Sequence, residues 1–85
     1  MADKPKSKRK APASSIKTGE DIRTYRKKHV MNQSEFWVRV GVTQSGGSRY
    51  ESGRNIPKPV LTLLHLTYGT QKQAEDMLAW LRDQG

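Results

Sequence analysis

The chain has 85 residues, no cysteine, a hydrophobic content of 33% and a formal net charge of +8. That allows one domain, excludes a disulfide framework or a Cys-based zinc site, and leaves no apolar run near the ~18 residues that span a bilayer. No apolar segment follows the basic start, so no secretory leader is read and a cytoplasmic location is expected. A domain of this size buries only about 60–65% of its unfolded surface, so its stability should be modest.

The charge is unevenly placed. Residues 1–18 carry six bases against Asp3, residues 19–56 a net +3, and residues 57–85 balance to zero. Bases gathered on the start and middle of a chain are expected of a nucleic-acid footprint, the alternative being a merely solubilising surface. Residues 1–15, MADKPKSKRKAPASS, hold too little apolar surface to offset their ordering entropy, so a disordered arm is expected, drawn here as residues 1–17. Its Lys4, Lys6, Lys8, Arg9 and Lys10 suit DNA phosphates, whose neutralisation releases counterions. A plain solvated tail is the other reading.

The folded domain is expected over residues 18–85. A first helix is predicted from Gly19 to His29, with Thr18 as N-cap, Glu20 and Asp21 at the positive end of the dipole, and Lys27, Lys28 and His29 at the negative end. Ile22, Tyr25 and Arg26 make a core-facing stripe, and an arginine there requires an acidic partner. Asn32 then caps a short helix with Glu35 at the box position, and Phe36 and Val40 share its buried face. Gly41 supplies a left-handed turn plugged by Val42, and Thr43 caps a third helix running to Glu51, closed by Gly53 and barred from continuing by Pro57. A helix, a glycine turn and a helix whose first turns carry Gln, Ser and Arg have the shape of a helix-turn-helix. A leucine-rich fourth helix follows near residues 58–68; Val60, Leu61, Leu63, Leu64 and Leu66 make it the most apolar segment and so the expected core helix, with His65 partly buried or at its polar edge. Gly69 ends it. Thr70 and Gln73 open a fifth helix whose stripe is Ala74, Met77, Leu78 and Leu81, with Trp80 beside it.

With these elements placed, RKKHVMNQSEFWVRVGVTQSGGSRYESGRNIP (residues 26–57) resembles the phage-repressor-like, Cro-type or Xre, DNA-binding family. The resemblance covers residues 22–57 well and extends loosely to about 68. It implies an all-α, compact, five-helix, lambda-repressor-like helix-turn-helix domain. It also implies that Gln33 meets a phosphate and that Gln44, Ser45 and Arg49 read bases. The chemistry agrees independently, since Gln pairs with adenine and Arg with guanine in the major groove. Ser45 and Ser48 are short donors within reach of a base edge or phosphate. Thr43, Arg54 and Asn55, flanking the third helix, suit backbone contacts that set register. The family's pairing of the first-helix Arg with the Glu ending the third helix falls on Arg26 and Glu51, as a structural pair.

Three positions depart from the family pattern. Trp37 stands where a small residue is usual, Gly47 where a buried Ile or Val is usual, and Val30 where Gly follows the first helix. The first two suggest a large-for-small exchange, with the Trp37 ring filling the volume that Gly47 vacates. Gly46 leaves the recognition helix bare where it would face DNA, and the glycine pair costs about 2 kcal/mol of helix propensity relative to Ala.

The expected function is a sequence-specific transcriptional regulator, a repressor acting as a homodimer on double-stranded DNA. Alternatives are the antitoxin of a toxin–antitoxin pair, with a toxin protein as second partner, and a protein-interaction module on the same fold. An enzyme is not expected: His29 and His65 lie on different helices with no carboxylate pair, Cys or phosphate loop beside them. No cofactor, metal or membrane partner is read.

Overall fold

In the computed structural model, Pro12 and residues 16–83 are described, and among them there are five helices and no strand. They are α1 (Gly19–Lys28), α2 (Gln33–Val38), α3 (Gln44–Glu51), α4 (Lys58–Tyr68) and α5 (Gln71–Asp83). The basic-arm residues Lys4, Lys6, Lys8, Arg9 and Lys10 lie outside the described residues.

The helix starts are set locally. Thr18 Oγ1 accepts the Asp21 N–H at 3.1 Å, and the Asp21 carboxylate accepts the N–H groups of Lys17 and Thr18 at 3.0 and 3.1 Å. The Lys17 N–H is the main reason that the Asp21 carboxyl sits below its ordinary pKa. Asn32 with Glu35 and Thr70 with Gln73 form the same reciprocal box, each satisfying two orphan donors. Thr43 caps α3 by accepting the Gly46 N–H at 3.1 Å. Only α4 begins without a side-chain cap; Pro59 stands in its first turn, where the N–H it lacks would have had no helical partner.

The first three helices end alike. After α1, Met31 N–H reaches Arg26 O and Val30 N–H reaches Lys27 O; after α2, Val42 reaches Trp37 O and Gly41 reaches Val38 O; after α3, Arg54 reaches Arg49 O and Gly53 reaches Tyr50 O. Each is the Schellman pattern, which needs one residue in the left-handed region. Gly41 (φ 77°) and Gly53 (φ 120°) supply it without strain, but Val30 (φ 53°) supplies it as a β-branched side chain. The departure at Val30 therefore keeps the turn and strains it, where a different turn was conceivable from the sequence.

The core gathers Ile16, Ile22, Phe36, Trp37, Val40, Leu64, Tyr68 and Met77. An aromatic chain runs through it: Phe36 stacks on Tyr68 with centroids 4.2 Å apart, Tyr25 meets both edge-on, and Trp37 links Phe36 to Tyr50. Burial pushes the Tyr68 hydroxyl above its usual pKa, and it donates to Phe36 O at 2.5 Å.

Several expectations need correction. Ile16, just ahead of the expected domain start, is 4% exposed and packs in the core. His65 is fully buried, not at a polar edge. On α5, Leu78 is 48% exposed, because α4 covers the Met77 side of the helix instead, leaving Leu78 off the seam. On α4, Leu63 likewise turns outward.

Candidate nucleic-acid interface

Helix α3 is held by its last residue. Glu51 is 4% exposed, and its carboxylate accepts from Arg26 Nε at 3.0 Å, Arg26 Nη2 at 2.7 Å, Trp37 Nε1 at 2.8 Å and Gln33 Nε2 at 3.3 Å. Arg23 donates from Nη1 to the Glu51 carbonyl oxygen, and Arg26 Nη1 donates to Met31 O at 3.1 Å. Burial pulls the Glu51 carboxyl upward, but the hydrogen bonds from Arg26, Trp37 and Gln33 outweigh it and hold its pKa below the ordinary value. A buried carboxylate with this many donors is affordable; one stripped of them would not be. The Arg26–Glu51 pair expected from the resemblance is thus present, as a bidentate contact. Trp37 Nε1 and Arg23 were not foreseen as its companions.

Backbone contact tightens the same junction. A Cβ on Gly19 would lie 2.7 Å from Glu51 Cα and from the carbonyl oxygens of Tyr50 and Glu51. Only glycine lets the N-terminus of α1 sit against the C-terminus of α3, where the two helix dipoles attract.

The Trp37 ring occupies the space beside Gly47. A Cβ there would stand 2.2 Å from Cδ1, 2.3 Å from Cγ and 2.5 Å from Nε1 of Trp37, whose side chain is fully buried. The Trp37 ring therefore fills the volume that a side chain at position 47 would need, and its indole N–H is aimed at Glu51. Gly46 differs from expectation. A Cβ on it would stand 3.3 Å from both Val42 Cγ1 and Thr43 Oγ1, so the absent side chain makes room for the residues that cap α3.

What α3 exposes is a short polar row. Gln44, Ser45 and Arg49 are exposed and Ser48 is half-buried; together with Gln33 from the start of α2 they line one open hollow. Gln33 reaches this hollow while its amide also bonds Glu51, so the residue assigned to a phosphate is oriented from beneath. Thr43 is exposed at the N-terminus of α3; its oxygen accepts the Gly46 N–H, which leaves the hydroxyl proton available to donate. Arg54 and Asn55 are exposed just past the closing turn. No carboxylate lines the hollow, since the only acid of α3, Glu51, is turned inward.

The sequence profile of the RsaL-like HTH domain matches residues 23–67, more than half of the chain. The chain belongs to the RsaL-like HTH domain family. That membership makes it a helix-turn-helix protein of the DNA-binding kind, in which α2 and α3 are the two helices of the motif. No curated protein and no solved structure matches the chain. Among the described residues no helix is long and apolar enough to cross a membrane, and no group of three His, Asp or Glu side chains is set to hold a metal ion.

Proposed function

We propose that this domain is a sequence-specific DNA-binding transcriptional repressor that reads the major groove with α3 and binds as a homodimer. The observation that carries the reading is the exposed row Gln44, Ser45, Ser48 and Arg49 around an acid-free hollow with Gln33, on a helix anchored from behind by Glu51. In this reading Arg49 pairs with guanine and Gln44 with adenine, Ser45 and Ser48 add single hydrogen bonds, and Gln33, Thr43, Arg54 and Asn55 hold phosphates. Lys4, Lys6, Lys8, Arg9 and Lys10 form a basic arm along the backbone, and the kinship extends to the Cro-type repressors. One recognition helix covers too few base pairs for useful specificity, so two copies place their α3 helices in major grooves one turn, ~34 Å, apart. The protein acts on the nucleoid in the cytoplasm.

The test is fluorescence anisotropy with a duplex selected by the protein from a random pool, beside a scrambled duplex, across a salt series. Wild type binds the selected duplex ~10³-fold tighter. Arg49→Ala removes most of that preference and leaves the scrambled-duplex affinity nearly unchanged. Equal affinity for both duplexes in wild type would refute base reading by α3. Capture of a toxin protein by the same chain, with promoter binding retained, would turn the reading toward an antitoxin.

A further inference from the structure

Away from the α2–α3 face lies a groove that DNA recognition does not use. It is lined by Lys58, Leu61, Thr62 and His65 of α4, Met77 and Trp80 of α5, and Ile16 and Lys17 where the chain enters α1. On α4 these residues are spaced i, i+3, i+4 and i+7, a single helix face two turns long, running about 10 Å from Lys58 to His65. The mouth and the floor differ in chemistry. Lys17 and Lys58 are exposed, and Lys58 lies within ion-pair distance of no carboxylate among the described residues. The walls are the apolar surfaces of Ile16, Leu61, Met77 and Trp80. His65 is 1% exposed, and its Nε2 is buried without a hydrogen-bond partner, a costly omission in a native core.

We propose that this groove is a binding site for a small amphipathic carboxylate bearing a second polar group at its far end. The carboxylate sits between Lys17 and Lys58, the body packs on Leu61, Met77 and Trp80, and the distal hydroxyl completes the hydrogen bond that His65 Nε2 lacks. The size selects the occupant. A volume of 240 Å³ suits about ten heavy atoms, on the scale where about 150 Å³ holds benzene, and is too narrow for a helix about 10 Å across. The exposed Lys58 ammonium, with no carboxylate in ion-pair distance among the described residues, and the Lys17 ammonium, which Asp21 only partly offsets, select an anion at one end, and an apolar wall with one buried imidazole selects a body that is mostly hydrocarbon. The site is separate from the α3 row, so occupying it leaves the base-reading residues uncovered.

The test uses the full chain and 3-(4-hydroxyphenyl)propionate as probe, followed by ¹H–¹⁵N NMR. Two analogues serve as controls: 3-phenylpropionate, which lacks the hydroxyl, and 4-(3-hydroxypropyl)phenol, which lacks the carboxylate. The expected result is saturable shifts confined to the groove residues and the Trp80 indole, half-complete at or below about 1 mM. The imidazole Nε2 resonance of His65 moves with the phenolic acid and not with 3-phenylpropionate. Lys58→Gln, a substitution at an exposed position, weakens the acid at least fivefold and leaves the alcohol unchanged. The proposal is overturned by shifts that do not saturate, by shifts centred on another face, or by equal binding of acid and alcohol. It is also overturned if groove resonances of the free protein change with protein concentration, which assigns the groove to a second copy. Contacts from residues 1–15 into the groove of the free protein would overturn it too, by giving the groove to the chain's own N-terminal segment.

Discussion

Gly47→Ala should change sign with its surroundings. In the native protein the new Cβ would lie 2.2 Å from Trp37 Cδ1, whereas ordinary van der Waals contact begins at 3.4 Å, so the ring must retreat by more than 1 Å. That ring is fully buried, with Phe36 and Tyr50 against it, and has nowhere to go without strain. Overpacking of this kind costs about 1–3 kcal/mol, and a shifted indole also loosens its 2.8 Å hydrogen bond to Glu51, a charge-assisted bond worth about 1.5–3 kcal/mol. Against this, replacing a mid-helix glycine by alanine returns only about 0.5–1 kcal/mol. The net expectation is a loss of about 2–3 kcal/mol. In a Trp37→Ala background the obstacle is gone, and the same substitution should stabilise by about 0.5–1 kcal/mol. Trp37→Ala is itself expensive, about 3–5 kcal/mol, so the cycle is best run near 10–20 °C, where small domains are most stable. Urea unfolding followed by far-UV circular dichroism gives all four corners. A coupling of about 3 kcal/mol is expected; effects that add to within about 0.5 kcal/mol would refute the account of this junction.

Other substitutions probe the remaining constraints. Val30→Gly relieves a left-handed β-branched residue that is 89% exposed and makes little packing, so it should stabilise by about 1 kcal/mol and raise Tm by roughly 4–8 °C. An unchanged or lowered Tm would show the turn to be unstrained. Glu51→Gln leaves Arg26 without its counter-charge; because Arg26 keeps 19% exposure, a loss of about 3 kcal/mol is expected at pH 7 in chemical denaturation. The native Glu51 carboxyl has a depressed pKa, so its stabilisation is complete above the ordinary glutamate value and is lost as pH falls through the lower folded value. The acid-unfolding limb of Glu51→Gln should therefore be shallower than that of wild type, and parallel limbs would contradict this. Arg54→Ala, past the end of α3, should weaken selected and scrambled duplexes alike and lower the salt slope by about one phosphate, in contrast to Arg49→Ala.

The parts of this fold that were legible in the sequence are those decided within one helical turn. Thr18, Asn32, Thr43 and Thr70 cap because their side chains need only reach two or three residues ahead, and Gly41 and Gly53 mark left-handed turns by lacking a Cβ. The Arg26–Glu51 pair was legible only through the resemblance, as was the Trp37 and Gly47 exchange, because neither has a local signal. What was missed is long-range. Nothing around Ile16, between Ser15 and Lys17, marks it as a core residue; it is buried because of where α1 begins relative to the rest of the core. The indole N–H of Trp37 and the guanidinium of Arg23 meet Glu51 across 14 and 28 residues. His65 reads as polar, and only the packed structure shows it buried at the floor of the groove between α4 and α5. In the candidate site, α3 was read correctly as a helix with Gln44, Ser45 and Arg49 outward. The orientation of Gln33 by Glu51 depends on the angle between α2 and α3, which no residue pattern encodes.

The central claim is that side chains on the exposed row of α3 each read a base. The most direct test selects bound duplexes from a random pool with wild type and with Arg49→Ala, and compares the two consensus sequences. The account predicts a two-fold site in wild type, and in the variant the same site with the preference for guanine relaxed at one position of each half and the other positions intact. A variant consensus identical to that of wild type, or a wild-type pool without any consensus, would contradict it.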